Sequence, residues 1–244
     1  MEAQAAFRKT LDEAADDKRS RAARENVCRQ LALVFREAGH QLWVYGHLIG
    51  GDRVAGDSPF DFGSDGLVGL STVTQIGGEL LSGANALLDQ DNSYGAAALI
   101  RQMVEVEYLA WAFAEDPDEA TTWLRSQRDE RLKMWQPRHL RERSQGRFRG
   151  SDYRHHCEFG GHPTPTGMVL LPCHARGPAV ERYEIALHGT SAWEYVSVAA
   201  ERFGYGEQVR SVAEATGLTE AIGAWREDDR LWHIRKPDTE RFDR

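Results

Sequence analysis

The stretch from Ala96 to Ala114 constrains this chain's fold more than any other segment. Leu99, Ile100, Met103, Val104, Val106, Leu109, Trp111 and Phe113 cover most of a helical circumference, which predicts a helix buried on nearly every side and running through the centre of the fold. Arg101 and Glu105 interrupt that apolar surface. They stand four residues apart on one face, and Tyr108 continues the same stripe. An unpaired charge inside a core is strongly destabilising, so the two are expected to pair with each other or with groups of the 153–162 segment.

The rest of the chain supplies helices and almost no strands. Val27, Leu31, Val34 and Phe35 recur at helical spacing, Leu70, Val73, Leu80, Leu81 and Leu87 define a helix from Leu67 to about Asp89, and further helices are predicted over Val180–Phe203 and about Gln208–Trp225. An all-α helical bundle follows. Residues 3–26 carry few large apolar groups and read as an exposed helix reaching towards a partner. On this pattern residues 1–50 form an N-terminal helix region, 51–66 a loop rich in Gly and Asp, 67–226 the bundle, and 227–244 a charged tail with Leu231, Trp232, Ile234 and Phe242 as its anchors. The glycines before residue 66 lack a Gly-Lys-Ser/Thr ending and make no phosphate loop.

Composition narrows the partners. With 41% hydrophobic residues among 244, the chain can build a sizeable core. Its net charge of −8 argues against general nucleic-acid binding, although nine basic residues against three acids fall between Arg125 and Arg149. No run approaches the roughly 18 apolar residues of a membrane span, and the N-terminus lacks the apolar core of a signal peptide, so a cytoplasmic protein is expected. Cys28, Cys157 and Cys173 are too few for a disulfide framework.

Chemistry concentrates in Tyr153-Arg154-His155-His156-Cys157-Glu158-Phe159-Gly160-Gly161-His162-Pro163. Three of nine histidines lie here, and histidine can act as acid and base near neutrality. The Leu-Ile-Arg-x-x-x-Glu helix at Leu99–Glu105, the spaced arginines that follow it, and Tyr153-x8-His162-Pro163 together resemble an uncharacterised bacterial family of helical proteins related to the HEPN superfamily, over roughly residues 67–200. That resemblance implies a helical bundle whose active members are dimeric, metal-independent ribonucleases of toxin and phage-defence systems, with an Arg-x4-6-His motif. Arg149 lies at the right spacing from His155 and His156, whereas Arg154 and His162 are separated by seven residues; the polar residue that usually follows the arginine is Gly150 or His155 here.

Cleaving RNA through its 2′-hydroxyl takes a base, an acid and a cation for the developing phosphorane charge. Under this reading His156 or His162 transfers the proton, Arg154 stabilises the charge, and Arg101 and Glu105 orient them. Arg147, Arg149 and Tyr153 bind substrate, and no cofactor is needed. RNA, a second copy of the chain and a partner protein are the expected partners. Two alternatives remain open: a non-catalytic interaction module, and a zinc-binding protein using His155, His156, Cys157, His162, Cys173 and His174. Glu158-x3-His162 and Glu184-x3-His188 do not fit the Glu-x-x-His spacing of di-iron bundles, and His188 has no sequence neighbours that mark it as functional.

Overall fold

In the computed structural model, which describes residues 2–49, 64–172 and 178–235, every regular element among the described residues is helical. The α-helices are α1 (Glu2–Asp16), α2 (Lys18–Val44), α3 (Asp65–Leu88), α4 (Ser93–Glu115), α5 (Asp118–Arg125), α6 (Arg128–Met134), α7 (Pro137–Arg143), α8 (Gly150–His156), α9 (Ala179–Arg202), α10 (Gly206–Thr216), α11 (Leu218–Asp228) and α12 (Arg230–Arg235). Two π-turns extend α2 over Tyr45–Ile49 and α8 over Cys157–Gly161, and a 3-10 helix spans Pro165–Leu170.

Four long helices, α2, α3, α4 and α9, enclose the core. Their directions can be read from pairs in contact. Gly46 meets Val68, Gly39 meets Gln75, Gly78 meets Arg36 and the Asn85 side chain donates to the Cys28 carbonyl at 3.0 Å, so α2 and α3 run antiparallel. Gly78 is required for that approach, since a Cβ there would lie 3.0 Å from the backbone nitrogen of Arg36. Gly83 with Leu99 and Gly77 with Val106 set α3 antiparallel to α4. Helices α4 and α9 differ: Glu107 contacts His188, and the Glu115 carbonyl accepts from Arg202, so these two run parallel. The segment joining them must return across the length of the bundle, and it contains α5–α8.

Capping explains several boundaries. Asp17 ends α1 and starts α2, its side chain accepting from the Ser20 amide at 2.8 Å. Asn92 caps α4 by accepting from Gly95. Gly217, at φ 72°, divides the predicted 208–225 helix into α10 and α11, because glycine reaches the left-handed region without strain.

The N-terminal stretch corrects the sequence expectation. The 3–26 stretch is no single exposed helix; it breaks at Asp17, and α2 enters the core with Ala23, Arg24, Val27 and Leu31 buried. Of the anchors expected in the 227–244 tail, Leu231 and Trp232 are buried on α12, and residues 236–244 lie outside the described residues. Arg24 and Asp229 join the ends. Both are fully buried, with Arg24 Nη1 3.0 Å from Asp229 Oδ1, and Arg24 Nη2 donates to the Ala15 carbonyl. Asp229 also accepts from Trp225 Nε1 at 2.9 Å and from the Leu231 amide at 3.0 Å. Burial pushes the Asp229 carboxyl up and the Arg24 guanidinium down, and each is held charged by the other. The loop expected over 51–66 falls outside the described residues except for its last three, of which Ser64 and Asp65 cap and open α3.

Because each charge of this pair is desolvated, Arg24→Met alone should cost about 3–5 kcal/mol in urea unfolding, and Arg24→Met with Asp229→Leu should recover much of that loss. A single variant that costs less than about 1 kcal/mol would show that water reaches the pair.

Candidate metal centre

Three elements meet along a polar seam: the middle of α4, the short helix α8 and the middle of α9. Helix α8 reaches the seam because the π-turn after it lies directly on α4. A Cβ on Gly160 would sit 2.4 Å from the carbonyl carbon of Ala97, and one on Gly161 would sit 2.6 Å from Arg101 Cδ, so the approach depends on both glycines. The turn closes through an i→i+5 bond from the His162 amide to the Cys157 carbonyl at 3.1 Å.

The outer part of the seam contains the polar pair foreseen in the sequence. Arg101 Nη2 lies 2.9 Å from Glu105 Oε1 and donates to the Tyr153 hydroxyl at 2.6 Å; that hydroxyl donates to Glu105 Oε1 at 2.8 Å. Arg141 stacks on the other component of the group, its guanidinium carbon 4.6 Å from the Tyr153 ring centre. Burial, followed by the hydrogen bond to Glu105, pushes the Tyr153 phenol up, so it remains a donor at neutral pH. The Arg101 and Glu105 side chains are 24% and 35% exposed, so they are more solvated than a central helix implied, and water screens their attraction.

The inner part is a cluster of imidazoles and carboxylates. His156 Nε2 and His188 Nε2 face each other at 3.0 Å. His188 Nδ1 lies 2.7 Å from Glu107 Oε2, both groups being almost wholly buried. Glu184 Oε2 is 3.7 Å from His188 Nε2 and 4.0 Å from His156 Nε2. Asp152, half-buried, completes a group in which one ligand atom each from Asp152, His156 and His188 lie within 4.8 Å of one another. The pairs Asp152/His156 and Glu184/His188 are each spaced i,i+4, which puts carboxylate and imidazole on one helical face. Burial alone would lower the His188 pKa; the hydrogen bond and charge of Glu107, with Asp152 and Glu184 beyond, raise it instead to about 9. Three carboxylates around two imidazoles create a demand for positive charge.

The predicted site residues therefore divide. Arg101, Glu105 and Tyr153 are brought together, and His156 is buried beside them, facing α9. Arg154 is exposed and donates to the Gly150 carbonyl of its own helix, and His162 is exposed. Arg149 is exposed, and Arg147 donates to the Tyr195 hydroxyl. Much of the basic stretch is engaged internally: Arg125 with Asp65, Arg143 with Glu119, Arg138 with Glu142, and Arg131 with the Ser126 carbonyl. Of the zinc ligands considered from sequence, His155 is exposed, and Cys173 and His174 lie outside the described residues. Sequence reasoning missed Glu107 and Asp152, and it set Glu184 and His188 aside although it noted their spacing. The paired i,i+4 carboxylate–histidine spacings were the available signal.

The fold and site define an all-α bundle with a buried histidine–carboxylate cluster between two parallel core helices. Family profiles, curated proteins and solved structures give no significant match to this chain, and nothing in those comparisons links it to the HEPN superfamily.

If the contact of Gly160 with Ala97 positions α8, then Gly160→Ala should cost about 1–3 kcal/mol through overpacking. Thermal and denaturant unfolding read the effect. A loss below about 0.5 kcal/mol would mean that the π-turn can lift away from α4 freely.

Proposed function

We propose that this chain binds a single divalent transition-metal ion between α8 and α9, with hydrolysis as its reaction class. The observation that carries this reading is the pair of Nε2 atoms at 3.0 Å, directed at each other amid carboxylates. Two imidazole nitrogens that ligate one ion lie about 3–3.4 Å apart, since Zn–N bonds are about 2.0–2.1 Å, and the observed separation falls at the lower end of that range. His188 is oriented for the role: Nδ1–H donates to Glu107, which fixes the ring, and a bound ion would take the place of the Nε2 proton that the raised pKa otherwise keeps there at neutral pH. Asp152 would supply the third ligand, and Glu184, 3.7 Å from His188 Nε2, would serve as a fourth ligand or as a base. A bound divalent ion lowers the pKa of a coordinated water and so supplies a nucleophile at neutral pH. Asp152 is the solvent-facing member of the group, which gives the centre one open side.

The metal-independent ribonuclease implied by the resemblance makes different demands. It needs Arg154 beside His156 or His162, whereas Arg154 is exposed and donates to the Gly150 carbonyl of its own helix. The basic stretch available to attract RNA is also reduced by its internal ion pairs.

Protein stripped with chelator and titrated with Zn2+, Co2+ or Mn2+ should take up one equivalent of at least one ion. His156→Ala and His188→Ala should abolish uptake, Glu107→Gln should weaken it by about 10–100-fold, and His155→Ala and His162→Ala should leave it intact. No uptake by the wild-type protein, or uptake undiminished in both histidine variants, overturns the proposal. RNA cleavage in chelator that is lost in Arg154→Ala and His162→Ala would favour the ribonuclease instead.

A further inference from the structure

Helix α2 presents a face that neither the core nor the metal centre uses. Two grooves flank it, one of 880 Å³ against α3 and one of 490 Å³ against α10, and Leu33 and Glu37 line both. Leu33 is 47% exposed, and Ile76 in the larger groove is 44% exposed, whereas Leu31, Leu42, Leu70 and Leu81 of the same two helices are buried. An exposed leucine on a ridge between two grooves has the shape of half a helix–helix contact, in which the ridge of each helix enters a groove of the other.

The charges on the ridge indicate what covers it. Arg29, Leu33 and Glu37 follow at i, i+4 and i+8, so they form one row with a cation at one end, an anion at the other and leucine midway. Arg29 and Glu37 are exposed, and neither side chain makes an ion pair or hydrogen bond among the described residues. The same is true of Arg36 and Glu79, which line the larger groove, so these four charges cancel. A polyanion or an anionic lipid surface finds no excess of positive charge here. A second copy of the row does fit. A two-fold axis at Leu33 turns the row end for end, and residues 29 and 37 exchange heights because each is four positions from the axis. Rows of i±4 spacing pack parallel to one another when helices cross at about −50°. That crossing sets Arg29 against the partner's Glu37, Leu33 against the partner's Leu33, and Glu37 against the partner's Arg29. The two halves of each α2 then pass over opposite grooves of the other chain, where Ile76 and Leu80 on one side and Val212 and Ala215 on the other supply apolar surface. We infer that this chain forms a two-fold homodimer through the outward ridge of α2, centred on Leu33. The interface uses none of the proposed metal ligands, which lie on α8 and α9.

Sedimentation velocity of the full chain tests the inference. The wild-type protein should show a concentration-dependent dimer within the range of about 1–100 μM. Leu33→Asp, at an exposed position, should leave the chain folded and monomeric. Arg29→Glu and Glu37→Arg should each weaken dimerisation by about tenfold or more, since each sets like charges together twice per dimer. The doubly swapped variant, Arg29→Glu with Glu37→Arg, should return to within about threefold of wild type. An equimolar mixture of the two single variants should dimerise more tightly than either alone, because the mixed pair again opposes unlike charges at both contacts. Circular dichroism of every variant separates lost association from lost folding, and metal uptake by Leu33→Asp should equal that of the wild type. A wild-type chain that stays monomeric up to about 100 μM, or a dimer indifferent to Leu33→Asp and to both reversals, overturns the interface. Weakening by the single reversals with no rescue in the swapped variant or the mixture overturns the two-fold register at Leu33.

Discussion

The parallel packing of α4 against α9 is the constraint on which the rest depends. Helices joined by a short turn pack antiparallel, as α3 with α4 do here, and α2 packs antiparallel on α3 as well. A parallel neighbour requires the chain to cross back over the bundle first. In this protein that crossing is made of short helices, and its last part, α8 with its π-turn, is pressed against α4 by Gly160 and Gly161. The result is that Glu107 from α4, Asp152 and His156 from α8, and Glu184 and His188 from α9 converge, although Glu107 and His188 are 81 positions apart.

Charged groups tie several of the helices to one another. Arg24 and Asp229 tie α2 to the α11–α12 junction; Arg125 with Asp65 tethers α5 to the start of α3; Glu119 holds both Arg143 and Trp135 Nε1, linking α5 to α7 and its approach. Burying a pair of charges contributes little net stability. Its value lies in asymmetry, because any packing that separates the partners leaves a desolvated charge unmet. The same rule explains why the histidine–carboxylate cluster stands out: Arg24 and Asp229 neutralise each other, whereas the carboxylates around His156 and His188 outnumber the imidazoles.

How much was legible in the sequence varies with the range of the interaction. The α4 helix was predicted within a few residues at each end, because its periodicity is a local property and Asn92 supplies a cap beside it. The contact of Arg101 and Glu105 was legible too, since i,i+4 spacing brings two side chains together wherever the helix lies, and Tyr153 joined them from the predicted segment. The direction of His156 was not. Adjacent histidines at 155 and 156 look equivalent in sequence, and only the docking of α8 on α4 turns one towards α9 and the other to solvent. His188 appeared isolated for the same reason, as its partners come from other helices. The N-terminal segment was misjudged because a charge-rich stretch reads as exposed, and a buried Arg24 is recognisable only once Asp229 is known to face it.

By itself the sequence determined that this chain is all-helical, where its most buried helix runs, and which short segment gathers histidines beside glycines, since periodicity, capping and turn chemistry act over a few residues. Which of those histidines face inward, which distant carboxylates meet them, and that both ends of the chain close the bundle were decided only in the tertiary structure. The physical reason is that a side chain's solvation and charge partners are set by what packs against it. For His156, His188 and Arg24 those neighbours come from parts of the chain that no local pattern connects.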